Sequence, residues 1–213
     1  SGSGKTTLAK CLNGIIPHLS VGDMYGAVFV DGINTAEVQI SDLSSHIGMV
    51  FQNPEDQIFS IRVSDEVALG VECQGYTHEE IVKRVDYAME KLRITEIKNR
   101  LTFSLSGGQK QKVSIASNLA ILPNTIILDD PTTDLDPISK QEVMDILHEL
   151  KNEIVLDQPG TDEKRKMTFF VIEHDLTDLM EFVDRVMIMH EGKIVLNGDP
   201  GEVFYGHYDY LDG

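Results

Sequence analysis

Two kinds of hydrophobic pattern alternate along the chain. Short continuous apolar runs predict buried strands over 27–30, 47–51, 125–128, 167–172, 185–189 and 193–196. Apolar residues that recur every three or four positions predict helices over 5–16, 65–72, 78–92, 106–122, 137–152 and 176–182. The segment 155–166 is polar and contains Pro159 and Gly160, which predicts a loop insertion.

The order of these elements predicts an α/β fold with a mostly parallel sheet, because strands separated by helices must cross over to pair. The apolar run 125–128 suits a strand that is covered on both faces. A long helical stretch separates this strand from the strand 47–51. We therefore expect one α/β domain over 1–213, with a helical subdomain over 60–122 inserted in it.

Composition narrows the range of partners. The chain has 213 residues, of which 41% are hydrophobic, enough to form a core. Its net charge is −17, and its one basic run is Lys164–Lys166. This balance argues against nucleic acid as the main partner and against direct adhesion to an anionic membrane. No apolar run approaches the ~20 residues of a membrane span, so direct insertion is not expected.

The two cysteines, Cys11 and Cys73, fall in predicted helices and form no CxxC pair. We expect buried thiols in a reduced, cytosolic protein.

The chain opens with a run typical of a phosphate-binding loop, namely Ser1, Gly2, Ser3, Gly4, Lys5, Thr6 and Thr7. Glycines let backbone N–H groups point at phosphate oxygens, and the following helix adds its positive end. Lys5 is expected to reach the β- and γ-phosphates of ATP, and the Thr6 hydroxyl to ligate Mg²⁺. The alternative is a flexible Gly/Ser start before a helix. The first glycine of the complete motif would precede Ser1, so we expect a fragment of a longer reading frame.

A second candidate element is the apolar strand that ends at Asp129 and Asp130. Active sites of α/β proteins gather at the carboxyl edge of the sheet. Asp129 is the candidate for the Mg²⁺ shell, and Asp130 for the general base that polarises the attacking water. The alternative is that the two aspartates only cap a strand and start a turn.

The string 105–109 (LSGGQ) is the most specific in the chain. Ser106 and Gln109 have capping-box spacing, so a plain helix start is one interpretation. Two glycines in a first helical turn are costly, however, unless a ligand approaches the backbone closely. The string resembles the signature of ATP-binding-cassette ATPases. In that family the signature residues, here Ser106, Gly107, Gly108 and Gln109, bind the nucleotide held by a second domain.

The resemblance extends to further motifs in the expected order. Gln52 resembles the family's glutamine that senses Mg²⁺ and the transported load. The string 133–136 (TDLD) resembles the loop that crosses the dimer interface, and His174 resembles the switch histidine. Without the resemblance, Gln52 would be interpreted as a polar turn residue and His174 as structural. The family normally has Glu at the position of Asp130. Asp is shorter than Glu by one methylene, roughly 1.5 Å. In this family an aromatic residue stacks on the adenine, and we expect that residue upstream of the chain.

Three further strings resemble the ATPases of energy-coupling-factor importers, which take up vitamins or Ni²⁺ and Co²⁺: 12–18 (LNGIIPH), 51–57 (FQNPEDQ) and 63–70 (VSDEVALG). This implies a second cassette domain and a transmembrane subunit that holds the protein at the cytoplasmic face of the cell membrane. A degenerate cassette that binds ATP without efficient hydrolysis is the alternative. A DNA-repair or translation ATPase would need coiled-coil arms or basic linkers, which the chain lacks. The sequence names neither the solute nor the composition of the dimer.

Overall fold

The computed structural model describes residues 2–20, 23–156, 164–174, 179 and 182–205. Its helices are α1 Lys5–Leu12, α2 Ile15–His18, α3 Ile40–Leu43, α4 Val63–Cys73, α5 His78–Lys91, α6 Gly107–Ala120, α7 Pro137–Asn152 and α8 Pro200–Tyr205. Its strands are β1 Phe29–Val30, β2 Ile33–Asn34, β3 Ile47–Val50, β4 Thr125–Asp129, β5 Ile154–Leu156, β6 Lys164–Lys166, β7 Thr168–Ile172, β8 Val186–His190 and β9 Lys193–Gly198.

A parallel sheet with the order β3-β4-β7 forms the centre of the fold. Val50 is in register with Leu128, and Leu128 is in register with Val171. Every residue of β3 and all but the first of β4 are buried, as expected for strands covered on both faces. The prediction of an α/β fold with a parallel sheet is therefore confirmed. The three remaining strand pairs, β1–β2, β5–β6 and β8–β9, are antiparallel.

The helices between β3 and β4 pack on one another and on the sheet. Buried side chains of α4, α5 and α6 share one apolar cluster with β4 and α7; examples are Val67, Met89, Leu119, Leu128 and Leu147. A second cluster on the other side joins Ala9 of α1 to Met49 and Ile127. Burial of this kind stabilises by roughly 25 cal/mol per Å² of apolar surface, so both sheet faces contribute to stability. The carboxyl ends of the strands are thus held on a rigid support.

Local sequence signals fix several element boundaries. Thr77 accepts a hydrogen bond from the Glu80 N–H and begins α5. Asp136 accepts from the N–H groups of Ile138 and Ser139 and begins α7, with Pro137 as the first helical residue. The predicted helix over 5–16 is wrong in one respect: it is interrupted after Leu12, because Gly14 adopts a left-handed φ of 77° before α2.

Two further expectations need correction. The segment 155–166 is not simply a loop, because β5 and β6 pair antiparallel, with Ile154 opposite Lys166. Cys73 is exposed at the end of α4 and not buried, whereas Cys11 is partly buried and burial raises the pKa of its thiol. The predicted strand 27–30 is reduced to β1, and most of the predicted helix 176–182 lies outside the described residues. Within the described ranges, no helix is both long and apolar enough to span a bilayer.

Candidate functional site

The loop before α1 has the backbone geometry that a phosphate-binding loop needs. Gly2 and Gly4 have left-handed φ values of 88° and 93°, which favour glycine. Gly4 is the N-cap of α1 and no side chain caps this helix, so its first N–H groups are available to an anion. Lys5 Nζ donates to Ser3 Oγ at 3.1 Å. The Ser3 carbonyl in turn accepts from the Gly192 N–H at 3.0 Å. Ser1 lies outside the described residues.

The carboxylates of Asp129 and Asp130 lie beside this loop. Both residues are buried, with exposed fractions of 3% and 6%. The Thr6 hydroxyl donates to Asp129, which connects the start of α1 with the end of β4. Burial raises the pKa of Asp129, and the neighbouring Asp130 charge adds to this, while the Thr6 hydrogen bond opposes it. The structure therefore brings Thr6, Asp129 and Asp130 together, as the sequence predicts.

One buried oxygen of each aspartate, Oδ1, has no hydrogen-bond partner in the described structure. An unpartnered buried carboxylate oxygen is costly unless something else satisfies it. A hydroxyl and a carboxylate are hard oxygen donors of the kind Mg²⁺ takes. No cluster of three His, Cys, Asp or Glu side chains with metal-binding geometry occurs in the described residues. Thr6 and Asp129 thus fit an ion that keeps water and phosphate as its other ligands.

The third member of the site is His174, directly after β7. His174 Nε2 lies 3.3 Å from Asp130 Oδ2, and the histidine side chain is 53% exposed. Asp130 N donates to the Ile172 carbonyl at 2.9 Å and has a left-handed φ of 47°. This hydrogen bond extends the pairing of β4 and β7 by one residue beyond the ends of the strands. A buried carboxylate and an accessible imidazole therefore face each other at the sheet edge.

Gln52 is exposed at the start of the loop that follows β3. In the part of the chain that the structure describes, no hydrogen bond joins it to either Asp129 or Asp130. The neighbouring Gln57 instead holds this loop: its Nε2 donates to the Met49 carbonyl at 3.0 Å, and its Oε1 accepts from the Phe51 N–H at 3.2 Å. Sequence reasoning missed Gln57, although it closes the quoted string 51–57.

The signature residues form a complete capping box. Ser106 Oγ accepts from the Gln109 N–H at 3.3 Å, and Gln109 Oε1 accepts from the Ser106 N–H at 3.1 Å. The two glycines differ in their surroundings. A Cβ on Gly108 would lie 2.5 Å from Ser139 Oγ, whereas a Cβ on Gly107 would meet nothing closer than Leu135 Cδ2 at 3.9 Å. Helix packing therefore accounts for Gly108, but it does not account for Gly107.

Two connections that sequence reasoning did not find tie these parts together. Lys110, in the first turns of α6, pairs with Glu55 of the loop after β3. Glu173, between β7 and His174, accepts hydrogen bonds from Thr132, which follows the two aspartates. Neither pair has a local sequence signal, because each joins segments that only the folded chain brings together.

Comparison with known proteins agrees with these features. The model of the ABC transporter family matches residues 1–133. A putative ABC transporter ATP-binding protein of Methanosarcina acetivorans is 43% identical over 212 residues, which cover 100% of this chain and 31% of that protein. The energy-coupling factor transporter ATP-binding protein EcfA1 of Lactococcus lactis is 37% identical over 212 residues, covering 100% of this chain and 70% of that protein.

A solved structure shows the same fold. The structure of cbiO1 from Clostridium perfringens, described as part of the ABC transporter complex cbiONQ, matches with a TM-score of 0.80 and 33% identity. The match covers 100% of this chain and 78% of that one. The chain spans 32% of the length of one curated Methanosarcina mazei relative. By its family match, its relatives and its fold, the chain belongs to the ABC transporter ATP-binding family, whose members are ATPases.

Proposed function

We propose that this chain binds and hydrolyses ATP to drive solute uptake through a membrane importer of the energy-coupling-factor type. The observation that carries the proposal is the meeting of three segments at one sheet edge. Thr6 donates to Asp129, and His174 lies 3.3 Å from Asp130, beside a loop with uncapped N–H groups. These contacts support phosphate binding by the loop, metal binding by Thr6 and Asp129, and hydrolysis by the Asp130–His174 pair at one place.

Each side chain has a role in this proposal. The N–H groups of residues 2–7 and the Lys5 ammonium hold the phosphates, while Ser106, Gly107, Gly108 and Gln109 complete the site of a second cassette domain. Thr6 and Asp129 would hold Mg²⁺, and Gln52 is a further candidate ligand. The ion would neutralise charge on the phosphates. Asp130 takes the proton of the attacking water, and His174 orients that water; positioned general bases contribute about 10²–10⁴-fold.

Replacing Lys5 tests nucleotide binding directly. We expect Lys5→Ala in the full-length protein to weaken ATP binding strongly, because the variant loses the cation that faces the phosphates. Isothermal titration calorimetry measures the affinity. Lys83→Ala is the matched control, since Lys83 is an exposed lysine of α5 that pairs with Glu79 one helical turn earlier. Equal ATP affinity in Lys5→Ala and the control would refute the proposed phosphate-binding loop.

The importer partner is proposed from an exposed apolar surface next to the loop after β3. We call it the 59–103 patch; its members are Phe59, Ile61, Leu101 and Phe103, with exposed fractions of 79%, 68%, 37% and 73%. Glu66 accepts from the N–H groups of Phe59 and Ser60 at 3.0 and 2.7 Å, so the backbone under the patch is fixed. Rigid exposed apolar patches of this kind favour protein–protein contact.

We propose that a cytoplasmic helix of a transmembrane subunit covers the 59–103 patch and holds the protein at the cytoplasmic face of the membrane. The helical segment 60–122 acts in this proposal as the subdomain that joins the patch to the signature. The names of EcfA1 and cbiO1 support a transmembrane partner, since EcfA1 is an energy-coupling factor transporter ATP-binding protein and cbiO1 is part of an ABC transporter complex. The acidic chain, with a net charge of −17, favours a basic partner segment.

Membrane association tests the patch. We expect Phe59→Ser together with Phe103→Ser to reduce the share of full-length protein that sediments with membranes, while the ATP affinity of the purified protein is unchanged. Tyr25→Ser is the control, because Tyr25 is 91% exposed but lies outside the patch. Undiminished sedimentation of the double variant would contradict docking at this surface.

A further inference from the structure

The side chain of Glu173 connects the loop after β7 with the loop after β4. Its Oε1 accepts two hydrogen bonds from Thr132, one from the N–H at 3.2 Å and one from the hydroxyl at 2.6 Å. Its Oε2 accepts from the N–H of His174 at 3.3 Å. Hydrogen bonds to an ionised acceptor are about twice as strong as neutral ones. One carboxylate thus fixes backbone atoms of two loops at once.

Thr132 is well placed to transmit this constraint. It is 7% exposed and lies two residues after Asp130. The Thr133 N–H donates to the Asp130 carbonyl at 3.2 Å, and the Leu135 N–H donates to the Thr132 carbonyl at 3.3 Å. Thr132 is therefore in the middle of a tight turn that starts at Asp130. The same turn leads into 133–136, which ends at Asp136 as the cap of α7.

Among the described residues, the other contacts between these two loops fix the backbone and not the imidazole of His174. Asp130 N donates to the Ile172 carbonyl, which fixes the backbone one residue before Glu173. The His174 side chain itself is 53% exposed and faces Asp130 Oδ2 at 3.3 Å. An exposed side chain on a loop is held in place chiefly by its own backbone, and here Glu173 accepts from that backbone N–H.

We propose that Glu173 is a positioning residue that sets His174 relative to Asp130 and ties this placement to the loop 133–136. The inference rests on the proposed function, because it assigns a task to a residue next to the proposed hydrolytic pair. Glu173 does not touch the reacting atoms in this account. It acts through His174, so its removal matters only while the imidazole is present.

Steady-state kinetics of the full-length protein test this dependence. We expect Glu173→Ala to lower kcat by about tenfold to a hundredfold, the size of effect that a misplacement of about 1 Å produces. The KM for ATP stays at the parent value, whereas the melting temperature falls, because the buried N–H and hydroxyl of Thr132 lose their acceptor. In the His174→Ala background, Glu173→Ala causes no further loss, because residues that act as a unit are not additive. Glu173→Gln keeps an acceptor for Thr132 and retains more activity than Glu173→Ala.

Two kinetic outcomes would overturn the inference. One is a parental kcat in Glu173→Ala. The other is an additional loss in Glu173→Ala/His174→Ala equal to the loss that Glu173→Ala causes alone, which would indicate an effect independent of His174. A parental rate in His174→Ala would instead contradict the proposed function of His174, and the kinetic part of the inference with it.

NMR spectroscopy of the His174 ring separates the positioning role of Glu173 from the proposed role of His174 in hydrolysis, since it needs no hydrolysis. The ring resonances of His174, assigned by their absence in His174→Ala, are expected to shift in Glu173→Ala and to return towards the parent positions in Glu173→Gln. Thr132→Val, which removes the hydroxyl donor, is expected to shift them in the same direction as Glu173→Ala. Identical His174 resonances in the parent and Glu173→Ala would overturn the positioning role, whatever the rates are.

Discussion

At the scale of single residues, the proposed hydrolysis depends most on Asp130. It has a short side chain, a buried carboxylate with one unpartnered oxygen, and a left-handed backbone. Its other oxygen already faces His174 at 3.3 Å. A general base must reach the attacking water directly, at about 2.6–3.2 Å, or act through a second water. The short arm therefore predicts hydrolysis below the rate that glutamate would support.

Substitutions at Asp130 test this argument. We expect Asp130→Asn to lower single-turnover hydrolysis by at least about 10²-fold, because the amide cannot accept the proton, while ATP binding persists. Asp130→Glu is expected to raise turnover, because the longer arm reaches the water directly. Asp145→Asn is the control, since Asp145 lies on α7 and pairs with Gln141. Parental hydrolysis by Asp130→Asn would favour a degenerate cassette that binds ATP and completes the site of its partner.

At the scale of elements, the start of α6 combines an observed helix cap with the proposed nucleotide-binding role of the signature. The capping box of Ser106 and Gln109 explains why a helix begins here. Gly108 is required by contact with Ser139 of α7, because a methyl group would overlap the serine hydroxyl. Of the two glycines, Gly107 is the exposed one with open space around it, so we propose that a partner-bound nucleotide approaches at this position.

The different surroundings of Gly107 and Gly108 predict different effects of alanine substitution on stability and on ATP hydrolysis. Gly108→Ala is expected to destabilise the fold by about 1–3 kcal/mol through overpacking, or about 2–4 °C in Tm per kcal/mol for a domain of this size. Gly107→Ala is expected to retain or raise the parental Tm, since alanine favours the helix and meets no neighbour, and to lower ATP hydrolysis. Calorimetric melting and a steady-state assay measure the pair. Equal Tm values for both variants would contradict the packing explanation for Gly108.

The elements also show how far sequence reasoning reaches. Apolar periodicity predicted α7 over the observed Pro137–Asn152, and the apolar run predicted β4 to within one residue. Thr6 was predicted from the phosphate-binding loop, Asp129 and Asp130 from the end of an apolar strand, and His174 from the family resemblance. The structure places Thr6 beside Asp129 and His174 beside Asp130. The bonds from Thr132 to Glu173 and from Gln57 to Met49 were not predicted, since they depend on how loops approach in the folded chain. The β5–β6 pair was missed because β6 consists of three basic residues, 164–166, and so has no apolar pattern.

At the scale of the whole molecule, the two halves of the proposed site are on different parts of one chain. The phosphate loop and the carboxylates lie at the end of the parallel sheet, whereas the signature begins α6 and packs on α7. Ser106 and Gln109 already satisfy each other within the chain. We therefore expect two cassette domains arranged head to tail, each supplying its signature to the nucleotide of the other.

The most direct test of this account mixes two inactive variants of the full-length protein. Lys5→Ala disables the phosphate loop, and Gly107→Asp places a negative charge at the exposed start of α6, where it repels phosphate. Each variant alone is expected to be inactive, because every site in its dimer lacks one half. The mixture should recover ATP hydrolysis, since each mixed dimer holds one site with both halves intact. A mixture that stays as inactive as either variant alone, although light scattering shows that mixed dimers form, would contradict the shared site.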